Sequence, residues 1–394
     1  MRLVMFLMCI PAKRGVYLTT IAIWQRDDMK NFDAKTAVLK TATAGFLLFL
    51  LLCLALPLQA QPSQALLDNA LAGDANAQYQ AGHHYYYGGE RLYNEAAKWF
   101  HMAAEQGNTD AMNELGKMAK YGEGTKSGNR DYKEAIKWFE KAGKLGHKEA
   151  QASLGDIYLS GPGGTEKNHP EAARWYAKAA EQGHAPAAYA LAIMLKEGKG
   201  VGQNPVDAAR WMRRSAELNY QNAQEDLAKM YLNGVGVEQD YAEAFKWFEM
   251  IGAQRPQTAY QLGRMLENGM GVLGNEREAF IWYRKSAALD YPDALDHIRA
   301  EAEKGNATAQ NCYGLMHALG QAVEKDYEEA VKWYSLAAEQ DNRDAQYNLC
   351  VMYDGGLGAK KDIEKASALC QKAAEKGSED AQKRLEQISS RRKQ

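Results

Sequence analysis

Residues 221–254 read QNAQEDLAKMYLNGVGVEQDYAEAFKWFEMIGAQ. In the first half, Ala223, Leu227, Ala228 and Tyr231 recur at i, i+4, i+5 and i+8, which places them on one apolar face of a helix. Ala244, Trp247, Phe248 and Ile251 do the same in the second half. Between the halves, Gly234 and Gly236 let the chain reverse without a Cβ clash. A hairpin of two such helices cannot bury its apolar faces alone, so the rest of the chain must supply neighbours of the same design.

The rest of the chain repeats it. Tryptophans recur at Trp99, Trp138, Trp175, Trp211, Trp247, Trp282 and Trp333, spaced 39, 37, 36, 36, 35 and 51 residues apart. One further period of 36 lands on Leu369, inside ASALCQKAAEKG, which continues the pattern without its indole. Asp131, Asn168, Asn204, Asp240, Asn275, Asp326 and Asp362 stand seven residues before this position and are read as helix N-caps. Six of them have an acid three residues on (Glu134, Glu171, Asp207, Glu243, Glu278, Glu329), which fits both a capping box and the positive end of a helix. Gly107, Gly146, Gly183, Asn219 and Gly377, eight residues after the indole position, mark helix ends. The prediction is eight two-helix units over residues 74–378.

In pattern the units read A-Q-x-x-L-G-x-x-Y-x-x-G-x-G-V-x-x-D-x-x-x-A-x-x-W-[YF]-x-x-A-A-x-x-G, and so resemble the Sel-one-like repeat family of the tetratricopeptide-like superfamily. The resemblance implies an all-α, right-handed superhelical solenoid, with first helices on its concave side and second helices outside. Unit 6 is one residue short before Leu262-Gly263, and unit 8 has Cys350 where the family has glycine and Leu369 in place of the aromatic. Residues 292–306 (PDALDHIRAEAEKGN) lack a loop and a tryptophan, and are expected to be a truncated unit that kinks the superhelix. Residues 379–390 restate the start of a first helix, so 379–394 is read as a capping helix with a basic tail.

Ahead of the repeats, residues 45–58 (GFLLFLLLCLALPL) form an uncharged run too short for a spanning helix of roughly 20 residues and suited to a signal-peptide core. Lys30, Lys35 and Lys40 flank it, and cleavage is expected after Ala60, leaving 61–73 as a lead-in. Translation starting at Met29 would shorten the unusually long leader of residues 1–60. The expected destination is a bacterial periplasm or the exterior, with the membrane met only during export. An uncleaved anchor is the competing reading.

Composition sets further limits. With 46% apolar residues in 394 the chain can bury a substantial core, and Lys+Arg 48 against Asp+Glu 50 disfavours a nucleic-acid binder working through a broad basic surface. Five cysteines fall to three once Cys9 and Cys53 leave with the leader. Cys350 and Cys370 lie in the two helices of one unit, where an oxidising compartment joins them if their Cα atoms come within about 7 Å. Small buried thiols that never bridge are the alternative.

Catalytic constellations dissolve on inspection. Gly269, Gly271 and Gly274 match G-x-G-x-x-G but follow a helix and sit in an inter-helix loop. Ser390 and Lys393 form the one Ser-x-x-Lys, on a tail expected to fray. No metal-binding spacing joins the eight histidines, and His101, His147 and His184 are read as sitting near second-helix ends, where positive charge suits the dipole. No cofactor or metal is expected. The enzyme alternative is a β-lactamase-like hydrolase resembling cysteine-rich repeat proteins, whose cysteine pair in every repeat is missing here.

What remains is a non-catalytic scaffold for a protein or peptide. The motif leucine, glycine and tyrosine are committed to packing, which leaves the positions between them for contact. The candidate partner-binding residues are Tyr79, His83, Tyr86, Tyr87, Asn113, Lys117, Lys120, Tyr189, Lys229, Tyr260, Arg264 and Tyr347. Tyrosine supplies large amphipathic contact area at low entropic cost. Tyr79, His83, Tyr86 and Tyr87 gather at one helix end, and Lys117, Lys120 and Tyr121 extend that surface; an acidic or C-terminal peptide is compatible with the mixture. Packing of these tyrosines against neighbouring first helices is the competing reading.

Overall fold

The structure, a computed structural model, describes residues 62–89, 91–124 and 128–393, and the backbone of 4–11 and 17–24. The apolar run 45–58, Met29, Cys53 and the Ala60 cleavage position lie outside the described residues. Two compact units divide the chain, Met1–Ala150 and Gln151–Gln394.

In the first unit, strands β1 (Val4–Pro11) and β2 (Tyr17–Trp24) pair antiparallel, with Val4 opposite Trp24 and Pro11 opposite Tyr17. Both segments are rich in β-branched and aromatic residues, which favour the pleated backbone. The all-α expectation therefore describes residues 62–393. Helix α1 (Gln64–Leu71) follows, its N-terminus capped by Ser63. The hairpin of α2 (Ala75–Tyr87) and α3 (Tyr93–Glu105) comes next, then that of α4 (Thr109–Tyr121) and α5 (Tyr132–Lys144). Read as a lead-in, α1 is instead a capping helix whose Ala70, with Leu66 and Leu67, packs against Ala77, Ala81 and Trp99.

Helix α6 (Lys148–Ser160) starts at the unit boundary, and α7 (His169–Glu181) follows it. The hairpins continue as α8 (Ala185–Glu197) with α9 (Pro205–Glu217), α10 (Gln221–Asn233) with α11 (Tyr241–Ile251), and α12 (Pro256–Glu267) with α13 (Glu276–Ala287). A lone helix, α14 (Pro292–Glu303), precedes α15 (Ala307–Leu319) with α16 (Tyr327–Glu339) and α17 (Arg343–Gly355) with α18 (Ile363–Glu375). The last element is α19 (Glu379–Lys393). Within each unit consecutive helices stack on one another, and the second unit shows them sharing cores, so the fold class is a solenoid of two-helix repeats.

The residue that fills each hairpin is the one after the tryptophan. Phe100, Phe139, Phe248 and Tyr283 are fully buried, whereas most of the indoles, Trp138 and Trp282 among them, are half-buried. The repeat glycine explains why a ring fits there. A Cβ on Gly116 would sit 2.5 Å from the Phe139 ring, and one on Gly263 would sit 2.6 Å from Tyr283. Hydrogen at this position lets the ring lie flat on the first helix. Four of the seven indoles take a second role under a cation three residues on: Lys141 lies over Trp138 at 4.1 Å, Lys178 over Trp175 at 4.3 Å, Arg214 over Trp211 at 5.8 Å and Lys285 over Trp282 at 4.0 Å.

All seven predicted N-caps accept a backbone N–H three residues ahead, for example Glu243 N–H to Asp240 Oδ1 at 3.0 Å. The capping box does not form. The cap residue's own N–H donates to the end of the preceding first helix, Asp240 to the Tyr231 carbonyl at 3.0 Å and Asn204 to Leu195 at 2.8 Å. Relieved of that task, the acid turns to a cation one turn on, as in Glu243–Lys246 at 2.5 Å and Glu171–Arg174 at 2.7 Å. Asp240→Ala is expected to cost about 1 kcal/mol in chemical denaturation, since the backbone clip survives it; an unchanged midpoint would rule out the cap.

Motif glutamines, given no role in the sequence reading, stitch one helix to the next. Gln78, Gln224 and Gln310 are buried and donate to the carbonyls of Ala70, Ala216 and Ala302, at 3.0, 3.2 and 3.1 Å. At second-helix ends, Asp290 and Asp341 adopt the positive φ that Gly107 and Gly146 adopt elsewhere. In the loop between α10 and α11, Gly236 is held by contact as well as by its φ of 71°, because a Cβ there would strike the Pro205 carbonyl.

Two further departures concern the C-terminal region. Helix α14 begins after the Asp290 turn and ends at Gly305 (φ 96°), so it has the start of a first helix and the finish of a second. The tail does not fray at Ser390. Helix α19 runs to Lys393 and is pinned by buried Asp354, which pairs with Arg384 at 3.0 Å and Arg391 at 2.7 Å. Cys350 and Cys370 are joined, with Cα atoms 5.5 Å apart, and Cys312 is buried and free. Cys350 occupies the repeat-glycine position and Cys370 the buried-ring position, so the disulfide stands where other units pack a ring on a glycine.

Candidate functional site

The tyrosine cluster assembles at the C-terminal end of α2 and gains partners from α4. Tyr79, one turn before His83, leans on Phe100 with ring centroids 5.9 Å apart, and His83 lies 4.4 Å from the Tyr87 ring. The Tyr87 ring is exposed while its hydroxyl is withdrawn from water and donates to Glu114 at 3.1 Å. That local burial, then the Glu114 carboxylate, push its phenol up to about 12. Tyr79 is shifted upward by partial burial, then by Asp110 and Glu114. Both therefore stay neutral donors at ordinary pH.

Two residues expected to make contact are spent on the interior. Tyr86 is buried against Tyr87, Tyr93 and Phe100, with its hydroxyl bonded to Glu123. Asn113 is buried too, donating to Glu114 at 3.5 Å. What faces outward is Tyr79, His83 and Tyr87 beside Lys117 and Lys120, with Lys117 held to Glu114 at 2.7 Å. Glu114 and Glu123, which organise the cluster, carry no periodic signal in the sequence.

In the second unit the remaining tyrosines are half-buried struts. Tyr189 lies 5.2 Å from Tyr220 and donates to Asp226 at 2.9 Å, which with burial raises its phenol. Tyr260 packs on Tyr283 and Tyr291 at 5.4 and 5.3 Å. Lys229 pairs with Glu225 at 2.6 Å, and Arg264 is exposed. Tyr347 lies apart from these, on a cleft of about 410 Å³ formed by α13, α15, α17 and the start of α19. Arg277, Arg284, Asn311, Arg343 and Asn348 line it, and none of these five stood among the expected contact residues.

The motifs set aside in the sequence take up structural positions. Gly269 and Gly271 form the turn between α12 and α13, with φ 63° and 72°, and a Cβ on Gly271 would strike Tyr241 backbone. Ser390 Oγ donates to the Gln387 carbonyl of its own helix at 2.9 Å. His147 and His184 cap the N-termini of the first helices α6 and α8 and do not lie at second-helix ends. Each accepts, at Nδ1, the backbone N–H three residues ahead, at 3.2 and 3.1 Å. His101 sits mid-helix, 5.4 Å from the Trp138 ring.

The Sel1 repeat matches at residues 75–108, 109–147, 148–184, 185–220, 221–254, 256–291, 307–342 and 343–378, which is most of the chain. The chain belongs to the Sel1 repeat family. Sel1 repeat proteins are typically protein-interaction scaffolds. The match skips 292–306, the lone helix α14. Among solved structures, c5321, a protective antigen of uropathogenic Escherichia coli displaying an SLR fold, is 26% identical, covering 83% of this chain and 90% of its own at a TM-score of 0.48. A Sel1 repeat protein from Oxalobacter formigenes is 28% identical, covering 82% and 90% at 0.49. The immunity protein Pa5087 from Pseudomonas aeruginosa is 22% identical, covering 61% and 83% at 0.30. No curated protein matches the chain.

Proposed function

We propose that this Sel1 repeat protein is an exported, non-catalytic scaffold that binds a protein or peptide on the face made by its first helices. The observation that carries the reading is the outward stack of Tyr79, His83 and Tyr87. Its Tyr87 end is held by Glu114, which also pairs with Lys117. Aromatic side chains are what protein interfaces concentrate at their centres. The Cys350–Cys370 bond supports export, because disulfides persist in oxidising compartments.

Tyr79→Ala with His83→Ala and Tyr87→Ala should lower recovery of a cross-linked envelope partner at least tenfold, with the melting profile of the other repeats unchanged. Undiminished recovery from a folded triple variant would end the proposal for this face. N-terminal sequencing of the mature protein should begin at Gln61; an intact 1–60 segment would overturn export. The hydrolase reading gains no support, since Ser390 is tied to its own helix.

A further inference from the structure

The cleft between α13, α15, α17 and α19 differs in chemistry from the tyrosine cluster. Three guanidinium groups line it, and their partners are unequal. Arg277 grips Asp344 through two nitrogens, at 2.5 and 3.2 Å, and Arg343 shares the same carboxylate at 3.4 Å. Arg284 has no such partner: among the described residues no carboxylate pairs with it, and its guanidinium donates to the neutral Gln321 amide oxygen at 2.6 Å. Glu379 and Asp380 stand exposed at the rim, in the first turn of α19, where the helix terminus stabilises their charge. A guanidinium has five donors in a fixed fork, so Arg284 keeps capacity for a carboxylate.

Beside it, Asn348 donates to Asn311 Oδ1 at 2.9 Å, joining two carboxamides from successive first helices. A carboxamide offers a donor and an acceptor in the geometry of a peptide bond. The floor is apolar, with Phe280, Leu315 and Cys312, and the volume falls within the range of about 300–1,000 Å³ typical of ligand clefts. Charge, amides and an apolar floor suit one ligand.

We propose that this cleft holds an extended peptide, with Arg284 taking a carboxylate and Asn311 and Asn348 taking the backbone beside it. This deepens the scaffold reading by naming a partner chemistry, and it sits in the other unit of the chain from Tyr79 and His83. The carboxylate comes from a free C-terminus or from an acidic side chain, and the probe set separates the two.

The probes are N-acetylated hexapeptide mixtures randomised over uncharged residues, made with a free C-terminal acid, with a C-terminal amide, and with an amide plus one internal glutamate. Retention on the immobilised full chain is read by mass spectrometry. The acid or the glutamate mixture should be retained at least tenfold over the neutral amide, and the preferred one identifies the source. Arg284→Gln, and separately Asn311→Ala with Asn348→Ala, should lower that retention about tenfold. Tyr79→Ala with His83→Ala should leave it unchanged, which keeps failure here distinct from failure at the tyrosine cluster. Gln321→Ala removes the bond that orients Arg284 while keeping the charge, and should retain most binding. Should Arg284→Gln melt early, the asparagine pair carries the test. Equal retention of the neutral amide, no retention of any mixture, or full retention by folded Arg284→Gln and Asn311→Ala/Asn348→Ala proteins would each overturn the proposal.

Discussion

Phe139→Ala is expected to destabilise the first unit by about 3–5 kcal/mol in urea unfolding, while Trp138→Ala, one residue earlier, costs clearly less. Phe139 is fully buried against Gly116, so truncating it opens a cavity that a helix hairpin cannot close. Trp138 is half-buried, and its loss removes one face of contact and the Lys141 interaction. Hydrogen exchange should show the loss concentrated in α4 and α5, as each repeat is supported by its neighbours alone. A larger effect from Trp138→Ala would overturn the assignment of the ring after the tryptophan as the anchor.

Reducing the Cys350–Cys370 bond is the second large perturbation. The bond closes a separation of 20 residues, and its loss should cost about 2–4 kcal/mol, expressed as faster exchange and proteolysis in α17, α18 and α19. Both sulfurs sit in the interior with Ala366, Ala373, Ala381 and Ile388, so the freed thiols must move apart to van der Waals distance inside a packed core. Because the pair occupies the glycine and ring positions, Cys350→Gly with Cys370→Phe should recover much of the loss without any oxidant. Recovery from neither variant nor reoxidation would sink the equivalence between the bond and the ring-on-glycine contact.

Much of this architecture is legible in the sequence because the repeat imposes spacing. Asp240, Gly234 and Trp247 announce a cap, a turn and a second helix through local physics alone, and seven copies reinforce the reading. The finer packing is less legible. Trp247 and Phe248 are both large and apolar, and adjacent residues on a helix differ by about 100° in facing, so the sequence does not rank them. Burial does, through a small residue on the partner helix, Ala228 for Phe248 and Gly116 for Phe139. The capping box failed for a related reason: the Asp240 N–H had a tertiary acceptor, Tyr231, that no local pattern displays. Sites were the least legible. Tyr79, His83 and Tyr87 were visible as a run, but Glu114 was not. Arg284, Asn311 and Asn348 come from three different helices and share no period, so they meet only in the folded chain.

The lone helix between Asp290 and Asn306 has an implication for how such chains change length. Each of its ends is the ordinary joint used between full repeats, made by one left-handed residue and a start signal for the next helix. A segment bounded by two compatible joints can be gained or deleted without redesigning either neighbour. Growth of the array therefore need not proceed in whole hairpins, and half-period insertions are an available step by which descendants of one gene could fall out of phase.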